Sequence, residues 1–569
     1  MWASSRRPLS SLEMAVVEEN SVALGVTIDA LMENAGRATA EEVTRHLPSP
    51  PARVAVVAGT GNNGGDGTCA AFYLLQWGYS PEIWLVHPPV EIRSRAARRC
   101  FDRIQNRVPV RIGVPRPEEL ATMPLVVDAL LGTGQSGKLR PPIREAVASM
   151  RASGAPVLSV DIPTGITDPD GLRPTWTVTF TIPKGEMSEG AVGELTVRDI
   201  GMPPNAWRQT GPGEFHFFRP PTEPRGRNGR LIVIGGGPYT GAPALAGLSA
   251  LRAGAERATI LTPSVAADAV RAASPNLIVR SIGSDRFRPT DVPELLETVR
   301  AAPPGAVVVG MGAGAHSETA EALGSVIRAL APQLPMVVDA DALAALPTDL
   351  GQEGAPLPVG VVATPNAGEF ERVFHGPSTG TFEERAQAAA RIALERHVTL
   401  VVKGSPDILT DGETTVANLH HHVAMTVGGV GDVLGGVLGS LLCQGVQPVH
   451  AARLATYWTG EAGLRGAAHR GYGLLATDVI EELPTGIRAE LFPVEATTKA
   501  ERVSLFENAL SPVEKKIFTL LGTDESIHVD ELVEKTELNS SEVLAALCEM
   551  EMKGIVRQMP GKQFLKILL

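Results

Sequence analysis

A glycine-rich loop with two amides and a carboxylate follows the first clear strand pattern of the chain. It reads GTGNNGGDG at residues 59–67, directly after the β-branched run at residues 54–58. The spacing matches G-x-G-x-x-G, whose glycines let a ligand phosphate approach the backbone. Asn62, Asn63 and Asp66 add hydrogen-bonding groups and oxygen ligands, although a tight turn capped by Asn and Asp is the alternative. The loop predicts a small-molecule site.

Two more predicted strands in this half of the chain end in a carboxylate. Asp128 ends the run LVVD, and Asp161 ends LSVD, which continues as IPTG and so includes Thr164. The carboxyl ends of parallel strands line the ligand crevice of an open α/β sheet. We therefore expect Asp128 and Asp161 to lie near the first glycine loop, although either one alone could be a helix cap.

A second glycine-rich constellation lies in the other half. The string GGGPYTGAP at residues 235–243 opens a helix of small residues, and TVGGVGDVLGG at residues 426–436 places glycines before Asp432 at the start of an apolar helix. Backbone amides and the positive end of a helix can neutralise charge on a transferring phosphoryl group, while Asp432 takes a proton from the attacking hydroxyl. A simple N-cap is the alternative interpretation of Asp432.

Length and composition indicate the kind of domains that hold these residues. A length of 569 residues implies about three domains. The chain is 44% apolar, 20% charged and 4% aromatic, with 59 Gly and 45 Pro, which is typical of loop-rich α/β units. The net charge of −12 provides no overall attraction to nucleic acid or anionic lipid. The four cysteines form no C-x-x-C pair and the first 20 residues lack a secretory apolar core, so we expect a soluble, cytoplasmic protein.

The order of the patterns predicts two α/β domains and a small third domain. Strand runs alternate with helical patterns on both sides of a proline-rich, basic segment at residues 217–230. After about residue 493, three helical patterns and a hairpin around Pro560-Gly561 have the order of a winged helix. We expect domains at residues 1–222, 226–492 and 505–569.

The first-half motifs, together with NAGR at residues 34–37, resemble the N-terminal YjeF domain, the NAD(P)HX epimerase, over about residues 10–218. This resemblance implies a Rossmann-like domain that interconverts the R and S forms of hydrated NADH or NADPH at nicotinamide C6. It implies that Asp161 transfers the proton and that Asn63, Asp128 and Thr164 hold a potassium ion; Thr164 keeps the hydroxyl of the family's frequent Ser. The implied substrate-binding residues are Asn62, Asn63, Gly64, Gly65, Asp66, Gly132, Thr133, Gly134, Gln135, Ser136, Gly137, Lys138 and Asp161.

The second-half Gly-Asp turn resembles the anion-hole motif of ribokinase-like enzymes. GAPALA at residues 241–246 and TPNAGEF at residues 364–370 narrow the resemblance to the ADP- or ATP-dependent NAD(P)HX dehydratase, over about residues 230–484. It implies that phosphorylation turns the C6 hydroxyl into a leaving group, with Asp432 as the base. The implied contacts to the hydrated cofactor are Ala242, Gly312, Asn366 and Asp432, and those to the nucleotide are Lys403, Gly404, Ser405, Pro406, Asp407 and Gly431.

This half departs from the family pattern at three places. Asn366 replaces a frequent His, the loop at residues 310–314 lacks the usual Pro, and RGRNGR at residues 225–230 replaces a common His-Lys-Gly run. Fusion of both domains favours ADP over ATP, and Mg²⁺ is the expected companion of the nucleotide. Glu369 either helps arrange Mg²⁺ or is an ordinary exposed helix residue.

Three adjacent histidines, at residues 420–422, do not predict a metal site, because neighbouring residues of a strand point to opposite faces. The last domain resembles the winged helix of the DNA-processing protein DprA through SPVE at residues 511–514 and EMKGIVRQMPG at residues 551–561. It has seven Lys and Arg against ten Asp and Glu from residue 511 onward, a net charge of −3. An acidic domain is a poor binder of phosphates, so interaction or dimerisation within a homo-oligomer is the favoured role and a vestigial fusion another.

Two other functions stay open at this point. One is an ordinary ribokinase-like kinase whose phosphorylated product is stable. The other is a ligand-sensing regulator, in which the α/β domains bind a nucleotide and the winged helix binds DNA. The acidic last domain and the intact strings around Asp161 and Asp432 count against the regulator.

Overall fold

The computed structural model describes most of the chain. The described residues are 8–135, 137–187, 192–220, 228–283, 285–347, 358, 360–490, 511–521, 527–536, 538–552, 556–559 and 561–566. Ser136 of the first substrate loop and Pro560 of the hairpin lie outside them. The chain divides into two compact units, Met1–Ile487 and Arg488–Leu569, and each is described by itself.

The first part of the larger unit is a parallel sheet covered by helices. Its strands are β1 (Arg53–Ala58), β2 (Ser80–Leu85), β3 (Val110–Ile112), β4 (Val126–Ala129), β5 (Val157–Val160), β6 (Trp176–Phe180) and β7 (Glu194–Arg198). Its helices are α1 (Ser11–Ala23), α2 (Ile28–His46), α3 (Asn62–Gln76), α4 (Arg95–Ile104), α5 (Pro117–Ala121), α6 (Ile143–Ser153) and α7 (Asn205–Arg208). The strand order is β3-β2-β1-β4-β5-β6-β7, which confirms a Rossmann-like, doubly wound sheet whose direction of winding changes between β1 and β4.

The second part is a larger sheet of the same kind. Its strands are β8 (Arg230–Ile234), β9 (Arg257–Pro263), β10 (Ile278–Ile282), β11 (Ala306–Val309), β12 (Met336–Val338), β13 (Val361–Ala363), β14 (Thr399–Val402), β15 (Asp407–Thr410) and β16 (Thr415–Asn418). Its helices are α8 (Gly241–Arg252), α9 (Ser264–Ala273), α10 (Val292–Ala301), α11 (Ser317–Leu330), α12 (Ala367–Phe374), α13 (Phe382–Arg396), α14 (Val430–Cys443), α15 (Pro448–Arg470) and α16 (Ala476–Glu490). The order is β10-β9-β8-β11-β12-β13-β14-β15-β16, parallel as far as β14 and antiparallel for β15 and β16.

Strand residues of both sheets are buried on both faces, which explains their continuous apolar runs. Val54 to Ala58 in β1 and Val307 to Val309 in β11 are fully buried. Helix α14 lies directly against α8 and β11 because of its glycines. A Cβ on Gly436 would collide with the Ala246 carbonyl, and one on Gly439 would lie 2.5 Å from Val308 Cγ2.

The two sheets belong to one compact unit because buried charges join their helices. Arg453 of α15 donates to Glu214 at 2.9 Å, and both side chains are almost completely buried. His450 of α15 lies 3.1 Å from Glu13 of α1 and stacks on Phe217 with 4.0 Å between ring centroids. The predicted domain boundaries at residues 222–226 and 492–505 lie outside the described residues and stay predictions.

The smaller unit has the predicted order of three helices and a hairpin. Its elements are α17 (Pro512–Leu520), β17 (Ile527–His528), α18 (Val529–Thr536), α19 (Ser540–Met552), β18 (Val556–Met559) and β19 (Gln563–Lys566). The strands pair antiparallel in the order β17-β19-β18, so the short strand β17 extends the predicted hairpin. Ile517, Leu532 and Leu547 form the fully buried centre of its core, which confirms a winged helix.

Within the described part of the chain, the helices are either too short or too polar to cross a membrane.

Candidate active sites

A cavity of about 1090 Å³ opens where the first sheet changes its direction of winding. This is the usual place for a ligand in a doubly wound sheet, and the volume suits a nucleotide-sized ligand. Eight of the sequence-predicted residues line it: Asn62, Asn63, Asp66, Gly132, Thr133, Gly134, Gln135 and Asp161. Gly64 and Gly65 are buried in the first turn of α3, while Gly137 and Lys138 are not among the lining residues.

Steric crowding explains why the first loop contains glycines. A Cβ on Gly59 would collide with the Leu130 carbonyl, and a Cβ on Gly64 would collide with the Gly59 carbonyl. The loop therefore packs backbone against backbone between β1 and α3. This close packing places Asn62 and Asn63 at the N-terminus of α3, next to the cavity.

Three side chains with oxygen atoms that could bind a cation, those of Asn63, Asp128 and Thr164, lie around Leu131. Asn63 donates from Nδ2 to the Leu131 carbonyl at 2.9 Å, and the Leu131 amide donates to Thr164 Oγ1 at 3.2 Å. Thr164 Oγ1 in turn donates to Asp128 Oδ1 at 2.7 Å. Asn63 Oδ1 is buried and has no hydrogen-bond partner among the described residues. A buried carbonyl oxygen without a partner, next to a carboxylate and a hydroxyl, fits a hard cation such as potassium.

Burial governs the electrostatics of Asp128. The side chain is completely buried, which raises its pKa, and hydrogen bonds from Thr164 and Ser159 oppose this shift. Among the described residues, no Lys, Arg or His forms an ion pair with Asp128. A bound cation would therefore supply the countercharge that the described side chains do not.

Asp161 is held in an unusual backbone conformation at the end of β5. Its φ is +63°, a region that non-glycine residues rarely adopt and that often marks functional residues. Its carboxylate forms a short ion pair with the ammonium of Lys184, which is itself completely buried. Lys184 also donates to Thr179 Oγ1 at 2.9 Å and to the Phe180 carbonyl at 3.2 Å. Asp161 therefore faces the cavity as a carboxylate in fixed orientation.

Sequence reasoning missed two groups of this cavity, Lys184 and Glu18. Burial, followed by the charge of Asp161, raises the pKa of Glu18 to about 7. Burial also raises the pKa of Asp66 well above its usual range, with Asp161 and Glu18 adding to the effect. Three carboxyl groups in different environments therefore share one cavity. Lys184 had a weak sequence signal, a lysine in the otherwise uncharged string TIPKG, whereas Glu18 had none.

The second site lies at the N-terminus of α14. Gly429 begins the helix with φ of +98°, and Asp432 lies in its first turn. Lys403 Nζ lies 3.0 Å from Asp339 Oδ1, and a Cβ on Gly431 would lie 3.5 Å from Lys403 Nζ. Asp432, Lys403 and Asp339 therefore form one cluster. Asp339 ends strand β12 in the run MVVD, the same strand-end signal as Asp128 and Asp161, but the sequence analysis did not include it in the site.

Burial, followed by the charge of Asp339, raises the pKa of Asp432 to about 7 against the opposing charge of Lys403. Burial lowers the pKa of Lys403, but Asp339 outweighs that effect, so its pKa lies above the ordinary value. An aspartate that titrates near neutrality beside a charged lysine suits a general base for phosphoryl transfer.

The predicted substrate contacts of this site divide into two groups. Ala242 and Gly312 lie together, since a Cβ on Gly312 would be 3.1 Å from the Ala242 Cβ, and Gly310 of the same loop packs on the Asp339 carbonyl. Asn366 is exposed and caps α12: its Oδ1 accepts from the Glu369 amide at 3.0 Å, and its own amide donates to Glu369 Oε2 at 2.8 Å. The side chain of Glu369 thus has a structural use.

The loop at residues 403–407 is closed by its own side chains. The Gly404 amide donates to Asp407 Oδ1 at 2.7 Å, and Asn418 Nδ2 donates to Asp407 Oδ2 at 2.9 Å. Ser405 Oγ lies 2.6 Å from His421 Nε2. Burial raises the pKa of Asp407 despite these bonds. Asp407 therefore shapes the predicted nucleotide loop rather than offering a free carboxylate.

The three adjacent histidines have separate partners. His420 Nδ1 lies 2.7 Å from Glu461 Oε1, His421 contacts Ser405, and His422 Nδ1 accepts from the Ala424 amide at 3.2 Å.

The fold and sites define a fused enzyme of two α/β domains, one Rossmann-like and one ribokinase-like, followed by a winged helix. Family models match all three parts: the YjeF-related protein N-terminus at residues 28–185, NAD(P)H-hydrate dehydratase at residues 231–485 and the DprA winged helix domain at residues 506–562. The bifunctional NAD(P)H-hydrate repair enzyme Nnr of Pyrobaculum aerophilum is 38% identical over 505 residues, which cover 85% of this chain and 99% of the relative. The Nnr of Hyperthermus butylicus is 36% identical, covering 87% of this chain and 94% of the relative. The chain belongs to the family of bifunctional NAD(P)H-hydrate repair enzymes.

Among solved structures, the chain is similar to the ADP/ATP-dependent NAD(P)H-hydrate dehydratase from Bacillus subtilis, co-crystallised with ATP/Mg²⁺ and soaked with CoA. The match has 23% identity and a TM-score of 0.42, and it covers 49% of this chain and 97% of that chain. Family membership confirms the predicted pairing of an epimerase domain with a dehydratase domain.

Proposed function

We propose that the first site interconverts the R and S forms of NADHX and NADPHX, and that the second site dehydrates the S form with consumption of ADP. The observation that carries this proposal is the pair of strand-end and helix-start carboxylates, Asp161 and Asp432, each beside a lysine and each on its own sheet. One chain therefore holds two separate proton-transfer sites.

In the epimerase site, Asp161 is the proposed proton-transfer group at the C6 hydroxyl. Its ion pair with Lys184 fixes its orientation. The proposed substrate contacts come from residues 62–66 and 132–138, which include the loops that line the cavity. Asn63, Asp128 and Thr164 are the proposed ligands of potassium. A bound potassium ion would supply positive charge against Asp128 and help order the loops around Leu131.

In the dehydratase site, Asp432 is the proposed general base. It takes the proton of the C6 hydroxyl while that oxygen attacks the terminal phosphoryl group of ADP, and AMP leaves. The C6–O bond of the phosphorylated intermediate then breaks, phosphate departs with the electron pair, and loss of the C5 proton restores the C5–C6 double bond of NADH. The amides at the start of α14 are placed to stabilise the transferring phosphoryl group.

Lys403, Gly404, Ser405, Pro406, Asp407 and Gly431 are the proposed contacts of the nucleotide, and Ala242, Gly312 and Asn366 those of the hydrated cofactor. Mg²⁺ is proposed to arrive with the phosphates of ADP, whose charge it would offset. The helix cap uses Oε2 of Glu369 and, among the described residues, leaves Oε1 without a hydrogen bond. Oε1 is therefore proposed as an oxygen ligand of Mg²⁺. The family's fused architecture favours ADP as the phosphoryl donor.

The decisive experiment supplies S-NADHX, ADP and Mg²⁺ to the whole protein. Return of the near-ultraviolet band of the reduced nicotinamide, with AMP and phosphate formed in equal amounts, is the expected result. Accumulation of a phosphorylated cofactor without that band would instead favour the alternative of an ordinary ribokinase-like kinase. The same assay with ATP in place of ADP decides the nucleotide preference by the ratio of kcat/KM values.

Three further proposals accompany this function. Domain boundaries at residues 1–222, 226–492 and 505–569 fit the two sheets and the separate small unit. A cytoplasmic location fits substrates that belong to the cellular NADH, NADPH and ADP pools. For the winged helix, a role in assembly of a homo-oligomer is favoured by its acidic balance of seven basic against ten acidic residues.

A further inference from the structure

We propose that Glu18 is the proton donor of the epimerase reaction and works with Asp161 as an acid and base pair. This inference rests on the epimerase function proposed above. It adds a catalytic residue from α1, which lies outside the matched YjeF-related segment of residues 28–185.

The geometry supports a pair of unlike carboxyl groups. Glu18 and Asp161 line the same cavity of about 1090 Å³. The Asp161 carboxylate is tied to the buried ammonium of Lys184. By contrast, no hydrogen bond or ion pair engages the Glu18 carboxyl among the residues that the structure describes. One carboxyl is thus held in place by a lysine, while the other is free to exchange a proton with a ligand.

The charges around Glu18 favour its neutral form near pH 7. Burial and the carboxylate of Asp161 raise its pKa to about 7, while Lys184 and His216 lower it. Asp66 also faces this group, since Glu18 in turn raises the pKa of Asp66. The other titratable side chains that line the cavity are Glu19, His87 and Glu186. Two carboxyl groups in different environments, one paired with a lysine and one without a hydrogen-bond or ion-pair partner among the described residues, are the usual basis of acid and base assignments.

Asp66 is the third carboxyl group of the cavity. Burial, followed by the charges of Asp161 and Glu18, raises the pKa of Asp66 well above its usual range. Glu18, whose pKa lies near 7, can both give and regain a proton at neutral pH.

The proposed step is a reversible ring opening. Asp161 takes the proton of the C6 hydroxyl, the oxygen forms a carbonyl with C6, the C6–N1 bond breaks with its electron pair going to N1, and Glu18 protonates N1. Rotation about C5–C6 presents the other face of the carbonyl. N1 then attacks C6 while Glu18 regains the N1 proton and Asp161 returns its proton to the oxygen. Both groups are thereby restored, and no oxidant or second substrate is needed.

The test measures conversion of pure R-NADHX to the S form by chiral chromatography, with the full chain, without ADP, between pH 5.5 and 8.5, and with the enzyme-free rate subtracted. A required acid of pKa about 7 predicts that the unmutated rate falls about tenfold from pH 6 to pH 8. Glu18→Gln is expected to lower the rate by about 10²- to 10⁴-fold and to remove this dependence. Glu18→Asp, which keeps a carboxylic acid at this position, is expected to retain the decrease in rate with rising pH (the falling limb).

The control is Glu118→Gln on α5, because Glu118 is exposed and does not line the cavity. It is expected to keep the falling limb. Dehydration of S-NADHX with ADP by Glu18→Gln reports that the chain is folded. The proposal is overturned if Glu18→Gln epimerises at the unmutated rate or still loses activity with rising pH. It is also overturned if Glu18→Asp loses the pH dependence, or if Asp66→Asn loses it while Glu18→Gln does not. Absence of epimerisation by the unmutated protein at every pH would instead overturn the epimerase function itself.

Discussion

The ionisation of Asp432 gives the dehydratase a predictable pH profile. The pKa of Asp432 lies near 7 because burial and Asp339 outweigh the opposing charge of Lys403. A general base acts in its ionised form, so activity rises with pH through this value. A group with that pKa is roughly 9% ionised at pH 6 and roughly 91% ionised at pH 8, so kcat/KM for S-NADHX should rise about tenfold over this range.

Substitutions change this profile in defined directions. Asp432→Asn removes the base and is expected to lower turnover by about 10²- to 10⁴-fold, while ADP affinity stays nearly intact because the residue acts on the hydroxyl proton. Asp339→Asn removes the carboxylate that raises the pKa of Asp432, so the rising limb should move to lower pH. Asp268→Asn is the matched control, since this aspartate is 96% exposed on α9.

The assay is the initial rise of the near-ultraviolet band at low S-NADHX and saturating ADP and Mg²⁺, with ADP affinity from calorimetry. The assignment is wrong if Asp432→Asn turns over at close to the unmutated rate. It is also wrong if the unmutated enzyme shows a flat or falling profile between pH 6 and pH 8, because a base cannot gain activity on protonation.

Further predictions concern the other parts of the molecule. Asp161→Ala should stop R-to-S epimerisation but leave dehydration of the S form unchanged, as measured by chiral chromatography; equal loss of both activities would mean a shared site or an unfolded variant. Glu214→Gln should destabilise the larger unit by about 3–5 kcal/mol in chemical denaturation, since it leaves the charge of Arg453 buried without its partner; an unchanged midpoint would contradict this. A chain that ends near Pro493 should keep both activities and differ in oligomeric state by light scattering, and loss of either activity would place the winged helix in the chemistry. The isolated segment of residues 504–569 should not bind random duplex DNA more tightly than the roughly 10⁻⁴ to 10⁻⁶ M of ordinary non-specific binding, whereas a sub-micromolar dissociation constant would restore the regulator hypothesis.

The sequence was sufficient to predict both sheets and the winged helix. Buried parallel strands require continuous apolar runs, and each run is followed by a glycine turn or a polar strand end. The same logic located Asp161, whose strand end opens on the cavity, and Asp432, whose glycine run begins α14.

Other site residues depended on distant contacts that no local pattern contains. Lys184 is recognised as a site residue only through its ion pair with Asp161, and Glu18 only because α1 lines the cavity. Asp339 carried the strand-end signal, but its role appears only in its contact with Lys403. The later glycines of α14 have a packing role that the sequence analysis did not include: Gly436 and Gly439 allow close packing against α8 and β11.

The central claim is that one chain converts both forms of the hydrated cofactor to the reduced cofactor through two separate sites. The most direct test gives the unmutated protein pure R-NADHX with ADP and Mg²⁺ and follows the near-ultraviolet band together with AMP. The predicted result is complete return of the band with one AMP formed per NADH. In Asp161→Ala the band should return only at the enzyme-free rate of epimerisation, and in Asp432→Asn it should not return. Failure of the band to return in the unmutated protein, or full activity of Asp161→Ala on the R form, would contradict the account.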